Sequence, residues 1–344
     1  MSTIRIKVRG RDLKPHKAAV SPLFTARSVL TKEPWTFVSL FLKREKKEEA
    51  LFYWEQAFTF YNASKGLPLE SAPLLLYYSF LNAAKALLTS KNVTFDPFHG
   101  VKEWQTGNVS RDALKKVGIE VKPVGVLPSL SVYFGETETH TRHSLQDLLF
   151  NMPFIHRTYC LTYKSQVEMF LPLKDSAYMF DSDTNQAYLS AKVSRDFLSR
   201  RIVRRLPHSL VAAGPDVIRS RASVDFIKPR NPTEADLRNL SELHHQLRID
   251  ICYINGVETL WYAKLLTNGP RRLNRQTPTL VLGAMHRLSE LCRYHPMEFR
   301  SYLDGQANWL LSEFIQMSPS EYIDQIASDL TGHQFLLPNV RPAS

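Results

Sequence analysis

Apolar and polar residues recur with a helical period over most of residues 48–90. In EALFYWEQAFTFYNAS, Ala50, Trp54, Ala57, Phe58 and Tyr61 return at three- and four-residue spacing and share one face, while Glu48, Glu55 and Asn62 line the other. The first face is predicted to be buried. The next segment, PLLLYYSFLNAAKALL, is apolar nearly all round, with Ser71 placed to cap it and Pro73 to begin it. Such a helix belongs at the centre of a helical cluster.

The lead-in, residues 1–45, is punctuated by proline and predicts a short strand at 4–8 and a helical piece at 37–42. From Gly118 to Glu136 apolar and polar residues alternate around Pro123 and Pro128, the pattern of edge strands. Ser144 is placed to open a helix, SLQDLLFNM, that Pro153 ends or kinks before residues 155–163. Strand-like runs follow at 166–172, 177–180 and 187–193, with Ser182 to Asn185 as a turn. The arginine-rich SRDFLSRRIVRRL predicts a helix, SVDFIKP a strand, and residues 233–246 a helix capped by Thr233. IDICYI and VETLWYAKLL flank Asn255-Gly256, which predicts a hairpin closed by a type I′ turn. The C-terminal part returns to helices: one opened by Thr277-Pro278 and broken by Pro296, one at about 305–317, and one with capping-box spacing at Ser318-Pro319-Ser320-Glu321. The expected class is α+β: a helical core, a β-containing middle and C-terminal helices. The segments are 1–45, 46–115, 116–265 and 266–344.

Composition narrows the setting. At 344 residues the chain has room for two packed domains, and its 44% hydrophobic and 22% charged content suits a globular protein. Cys160, Cys252 and Cys292 form no CxxC pair, so neither a disulfide framework nor a cysteine-built zinc site is expected, and a reducing cytoplasm fits. The basic N-terminus lacks the apolar stretch of a signal peptide. The apolar run at 72–88 contains Ser79, Asn82 and Lys85 and is shorter than the roughly 20 residues of a membrane span. No membrane partner is expected. The chain also lacks a Walker A loop, a GxGxxG fingerprint, HExxH and a GxSxG elbow, which argues against common ATPase, dehydrogenase, metalloprotease and esterase readings.

The net charge is +11, and residues 190–230 hold ten lysines and arginines against three aspartates. Arg195, Arg200, Arg201, Arg204 and Arg205 lie on the expected basic helix, with Arg219 and Arg221 beyond it and Arg271, Arg272 and Arg275 as an extension. Arginine forks match phosphate oxygens bidentately, so this pattern points to nucleic acid, RNA or DNA, without implying sequence readout. The alternative is an acidic protein partner docking on the same stripe. His140 and His143 with Glu136 and Glu138 read as a loop feature, and Asp181 to Asn185 as a turn, since a lysine, Lys192, stands where a calcium loop needs its glutamate. No metal and no cofactor are expected.

Three segments, PLLLYYSFLNAAKALL followed by His99-Gly100, SLQDLLFNMPFIHRTY, and MHRLSELCRYHP, together resemble the bacterial YaaC-like family across most of the chain. The resemblance implies a fold and a cytoplasmic bacterial setting. The first two helices also resemble the core of HEPN domains, whose members include metal-independent RNases and noncatalytic RNA-associated proteins, commonly dimeric. HEPN nucleases carry an arginine, a polar neighbour and a histidine four to six residues beyond the arginine. Arg238, Asn239 and His244 satisfy that spacing, as do Arg11 and His16. In such a site Arg238 stabilises the phosphorane-like transition state and His244 moves the proton of a 2′-hydroxyl. The leading expectation is a non-catalytic nucleic-acid-binding or assembly component, with bacterial antiviral defence as the setting implied by HEPN-containing systems. A dimeric RNase and a scaffold for an acidic partner are the alternatives.

Overall fold

The computed structural model describes residues 3–106, 113–164, 167–194, 197, 199–267 and 271–338. The chain opens with β1 (Thr3–Arg5), β2 (Lys7–Val8), β3 (Arg11–Asp12) and β4 (Val29–Leu30). Next come α1 (Trp35–Arg44), α2 (Glu48–Ser64), α3 (Ala72–Ser90), β5 (Val101–Gln105), α4 (Ala113–Lys116), β6 (Val117–Val121), α5 (Val126–Tyr133), β7 (Arg142–Ser144), α6 (Leu145–Phe150) and, after a 3-10 turn, α7 (His156–Tyr163). The third stretch is β8 (Phe170–Asp181), β9 (Gln186–Lys192), α8 (Arg200–Val203), β10 (Leu210–Ala212), β11 (Val217–Ser220), β12 (Val224–Asp225), α9 (Glu234–Leu247), β13 (Ile251–Ile254) and β14 (Leu260–Lys264). The helices α10 (Thr277–Tyr294), α11 (Pro296–Leu303) and α12 (Asn308–Thr331) and the strand β15 (Phe335–Leu336) follow.

These elements form two compact units that interleave along the chain. The first gathers Met1–Lys32, Glu168–Thr267 and Gly332–Ser344, and the second gathers Glu33–Val167 and Asn268–Thr331. The structure thus joins residues from both ends to the β-containing middle, a grouping that contiguous segments at 1–45, 46–115, 116–265 and 266–344 do not represent.

The first unit is a sheet of eight strands in the order β10-β11-β9-β8-β14-β13, with β1 also pairing with β8 and β12 with β9. The long strand β8 makes this possible, because its first half pairs with β14 and its second with β1. An irregularity between Lys174 and Ala177 divides the halves, with Asp175 at a positive φ of 51°. Alternation puts Tyr178, Phe180, Leu189, Ala191 and Ile218 on one buried face, packed with Leu240, Leu243 and Leu247 of α9. Fully burying each leucine, isoleucine or phenylalanine among them contributes about 1.5–3 kcal/mol.

The second unit is built around α3, as its apolar circumference predicts. Along α2, Ala50, Trp54 and Ala57 are buried as expected, while Phe58 and Tyr61 ring Trp35. The Ser79 hydroxyl donates to the Ala57 carbonyl at 2.8 Å, tying α3 to α2, and Phe80 stacks on Tyr322 of α12 with centroids 4.4 Å apart. Ser71 stands at the cap of α3, but its side chain makes no capping bond.

Four local expectations are corrected. Residues 126–133 are a helix rather than an edge strand, because Pro128 falls in the first turn, where it is tolerated, and Val126, Leu127 and Leu130 share the buried side. The arginine-rich segment is helical only over Arg200–Val203 among its described residues. Like charges four apart, Arg200 with Arg204 and Arg201 with Arg205, oppose its extension. Asn255-Gly256 does not form a two-residue turn: Ile254 pairs with Leu260 across a longer loop, and the Asn255 carboxamide accepts from Lys17 Nζ at 2.7 Å. Finally, Ser318 is no cap, since α12 runs through Pro319 as one helix.

Candidate nucleic-acid interface

The basic segment is organised by what its apolar residues need. Ser199 caps α8 by accepting from the Ile202 N–H at 3.4 Å. Ile202 packs against the core of the first unit and Leu206, one turn on, is buried. Arg200, Arg201 and Arg204 are left on the exposed side, and among the described residues no carboxylate pairs with them.

Arg205 departs from this stripe. Its Nε donates to the Leu266 carbonyl at 2.8 Å and its Nη2 to the Glu168 carbonyl, while its own carbonyl accepts from the Leu266 N–H. Burial, with the Arg201 charge beside it, lowers its pKa. It holds the flanks of β8 and β14 and is not a free phosphate fork. Arg195 lies outside the described residues.

Arg219 projects from β11 on the face opposite the core, its guanidinium 5.2 Å from the centroid of the Tyr188 ring. Arg221 is exposed and donates from Nε to the His208 carbonyl at 2.9 Å. Elsewhere on the sheet Asp175 receives Arg5 at 2.7 Å and Lys192 at 3.2 Å, and hydrogen bonds from both hold its carboxyl below the usual range.

Arg271, Arg272 and Arg275 belong to the second unit and carry no such surplus. Arg271 donates to Glu138 at 2.7 Å, and Arg272 donates to the Asn274 side chain at 2.8 Å. Arg275 is buried against Glu136 at 3.1 Å and His143 at 3.3 Å. Glu138 is pushed up by burial, but the N–H groups of Asn274 and His140 and the Arg271 guanidinium bring it down to about 2. His143, held neutral by burial beside Arg275, is lowered to about 3. Glu138 and Glu136 therefore pair with Arg271 and Arg275, and among the described residues no group suited to a metal occurs.

The predicted catalytic residues are not brought together. Arg238 and His244 lie six residues apart on α9, which rotates their side chains by about 120° from each other. Arg238 is exposed, and Asn239 donates to the Asp225 carbonyl at 3.0 Å. His244 is 2% exposed, with Nε2 against the Ala18 carbonyl at 2.9 Å and Nδ1 against the Tyr178 hydroxyl at 2.8 Å. A carbonyl only accepts, so Nε2 carries the proton and Nδ1 accepts from the tyrosine. Burial drives its pKa well down. Both nitrogens are engaged inside the core, which gives His244 a structural role.

The segments that carry the family resemblance do converge, a grouping that sequence reasoning left open. Within the second unit the Tyr77 hydroxyl of α3 meets His99 Nδ1 at 2.5 Å, and His286 of α10 packs edge-on to Tyr77 with centroids 5.0 Å apart. Gly100 follows at a φ of 73°, where a Cβ would stand 2.3 Å from Pro128 Cδ. The pair His99-Gly100 thus fastens the loop to α3 and lets α5 approach. Its sequence signals were a histidine beside a glycine and the place of that pair in the family resemblance, neither of which names Tyr77 or His286 as neighbours.

The geometry defines an α+β protein with, on one of its two units, an exposed arginine cluster that has no carboxylate partner among the described residues. Residues 24–330 match the YaaC-like protein family, and the chain belongs to it. No curated protein and no solved structure matches the chain.

Proposed function

We propose that this protein is a non-catalytic nucleic-acid-binding component of an assembly, and that its first unit holds the phosphate backbone. The observation that carries the reading is the distribution of charge. The first unit contains 23 lysines and arginines against 13 acidic residues, whereas the second contains 21 against 20, so +10 of the net +11 belongs to one unit. The exposed Arg200, Arg201 and Arg204 add a local cluster without carboxylate partners among the described residues. Such a surface favours polyanions, and its contacts to phosphate are sequence-independent. The engagement of both His244 nitrogens favours binding over an RNase role. A HEPN-like reading of the α2–α3 pair, a cytoplasmic location, homodimerisation and bacterial antiviral defence belong to the same proposal.

Fluorescence anisotropy with labelled single-stranded RNA and DNA tests it. Affinity is expected to fall steeply between 50 and 200 mM salt, about 10³-fold or more for six or more phosphate contacts. Reversing Arg200, Arg201 and Arg204 to glutamate should weaken binding at least about tenfold and flatten the slope of log affinity against log salt by about 2 to 3. Unchanged affinity in that variant would exclude this surface.

A further inference from the structure

A cavity of about 210 Å³ in the first unit lies between the β2–β3 hairpin and residues 24–28. Arg9, Arg11 and Lys14 line one side and Arg27 the other. Among the described residues none of these four has an ion-pair partner. The one carboxylate on the wall, Asp12, is taken by Arg5 at 2.6 Å, with Lys7 3.9 Å away. All four residues are exposed at the mouth of one small space, and an anion placed among them gains from each of the four charges.

Two further features mark this as a built site. His16 lies on the wall at 5% exposure, its Nδ1 accepting from the Ala18 N–H at 3.0 Å. The proton of the neutral ring is therefore on Nε2, where no protein acceptor stands among the described residues, so a donor remains for a ligand. The hairpin itself is closed by Arg9-Gly10, with Val8 paired to Arg11 and φ values of 50° and 78°. Asparagine, aspartate or glycine suits the first of those positions. An arginine there costs about 1 kcal/mol in local strain, and it keeps a guanidinium at the rim of the cavity.

We propose that this cavity binds a terminal phosphate or diphosphate group. Its volume decides the class, since pockets for whole drug-sized ligands run from about 300 to 1,000 Å³, and this one admits a phosphate head with the rest of the molecule outside. Three arginines and one lysine suit an oxyanion of two or more charges, which guanidinium forks meet bidentately. The group can come from a free phosphorylated molecule or from the 5′-phosphate end of a strand, and only the second source rests on the nucleic-acid reading above.

Calorimetric titration of the full chain with pyrophosphate, and anisotropy with 5′-phosphorylated and 5′-hydroxyl forms of one oligonucleotide, test the proposal. Two variants dissect the walls: Arg9→Gly, which keeps the turn and relieves its strain, and Arg27→Ala, which leaves the hairpin untouched. Pyrophosphate is expected to bind, to lose at least tenfold in affinity in each variant, and to bind the charge-reversed α8 protein normally. A preference for the 5′-phosphorylated strand that both variants erase assigns the strand end as the source. Pyrophosphate binding without that preference assigns a free ligand. The proposal is overturned if neither pyrophosphate nor the 5′-phosphate is recognised, or if recognition survives both substitutions. Loss of strand binding with intact pyrophosphate binding would overturn the polyanion surface alone.

Discussion

Single residues here are assigned by what their polar atoms already hold. Arg201 and Arg205 are four apart in one basic run, yet one faces solvent and the other is spent on two backbone carbonyls. Glycines separate in the same way. Gly100 and Gly66 both have positive φ, but a Cβ on Gly100 meets the Pro128 ring at 2.3 Å, whereas on Gly66 it meets nothing within 4 Å. Gly66→Ala should cost about 1 kcal/mol, the backbone effect alone, and Gly100→Ala at least about 2 kcal/mol more. Urea denaturation midpoints of the two variants check this; equal shifts would show that the approach of α5 to the loop is not tight. Sequence alone identified the residue types at these positions. It had no access to which arginine or glycine had a neighbour, because those neighbours come from segments far away along the chain.

Elements whose signals are local were legible. For α9, Thr233 Oγ1 accepts from the Asp236 N–H at 3.1 Å and the Asp236 carboxylate accepts from the Thr233 N–H at 2.9 Å, all within four residues. The same carboxylate accepts from the Ile227 N–H at 2.8 Å. Thr233→Ala should therefore cost about 1 kcal/mol, the usual value of a cap. Asp236→Ala should cost about 2–3 kcal/mol, since it strands two backbone donors, and chemical denaturation monitored by circular dichroism measures both. The α10 boundaries and the Ser144 cap of α6 were legible for the same reason. By contrast, α12 overrides its proline: Phe314 and Ile315 before Pro319 and Tyr322, Ile323 and Ile326 after it are all buried, and that packing outweighs one missing backbone bond. At Asn255 the turn propensity yielded to the Lys17 ammonium, a partner 238 residues away.

At the scale of the whole molecule, both units bury histidines that must stay neutral. Burial lowers His16 of the first unit and His143 and His286 of the second from near 6.5 to about 3, and takes His244 well down. The folded protein thus refuses protons that the unfolded chain accepts below about pH 6.5. Stability is fully present above that pH and falls as pH drops from about 6.5 towards 3, by about 1.4 kcal/mol per pH unit for each such histidine. Urea midpoints measured from pH 7.5 to 4.5 should stay level and then fall below about 6.5. His244→Gln should reduce the steepness of that fall; a flat profile would mean that these rings take up protons in place. The basic character of the chain was legible from composition, but its confinement to one unit was not, because that unit is collected from three separate stretches of sequence.

That collection has a consequence during synthesis. β4 near the start receives its parallel partner only from β15, and the Lys17 ammonium donates to the Phe335 carbonyl. On the ribosome residues 29–30 are made long before residues 335–336 emerge, while the helices between them can already pack. The cationic unit is therefore closed only after the helices of the other unit have been made, so its sheet edge at β4 stays open through most of the synthesis of residues 33–331.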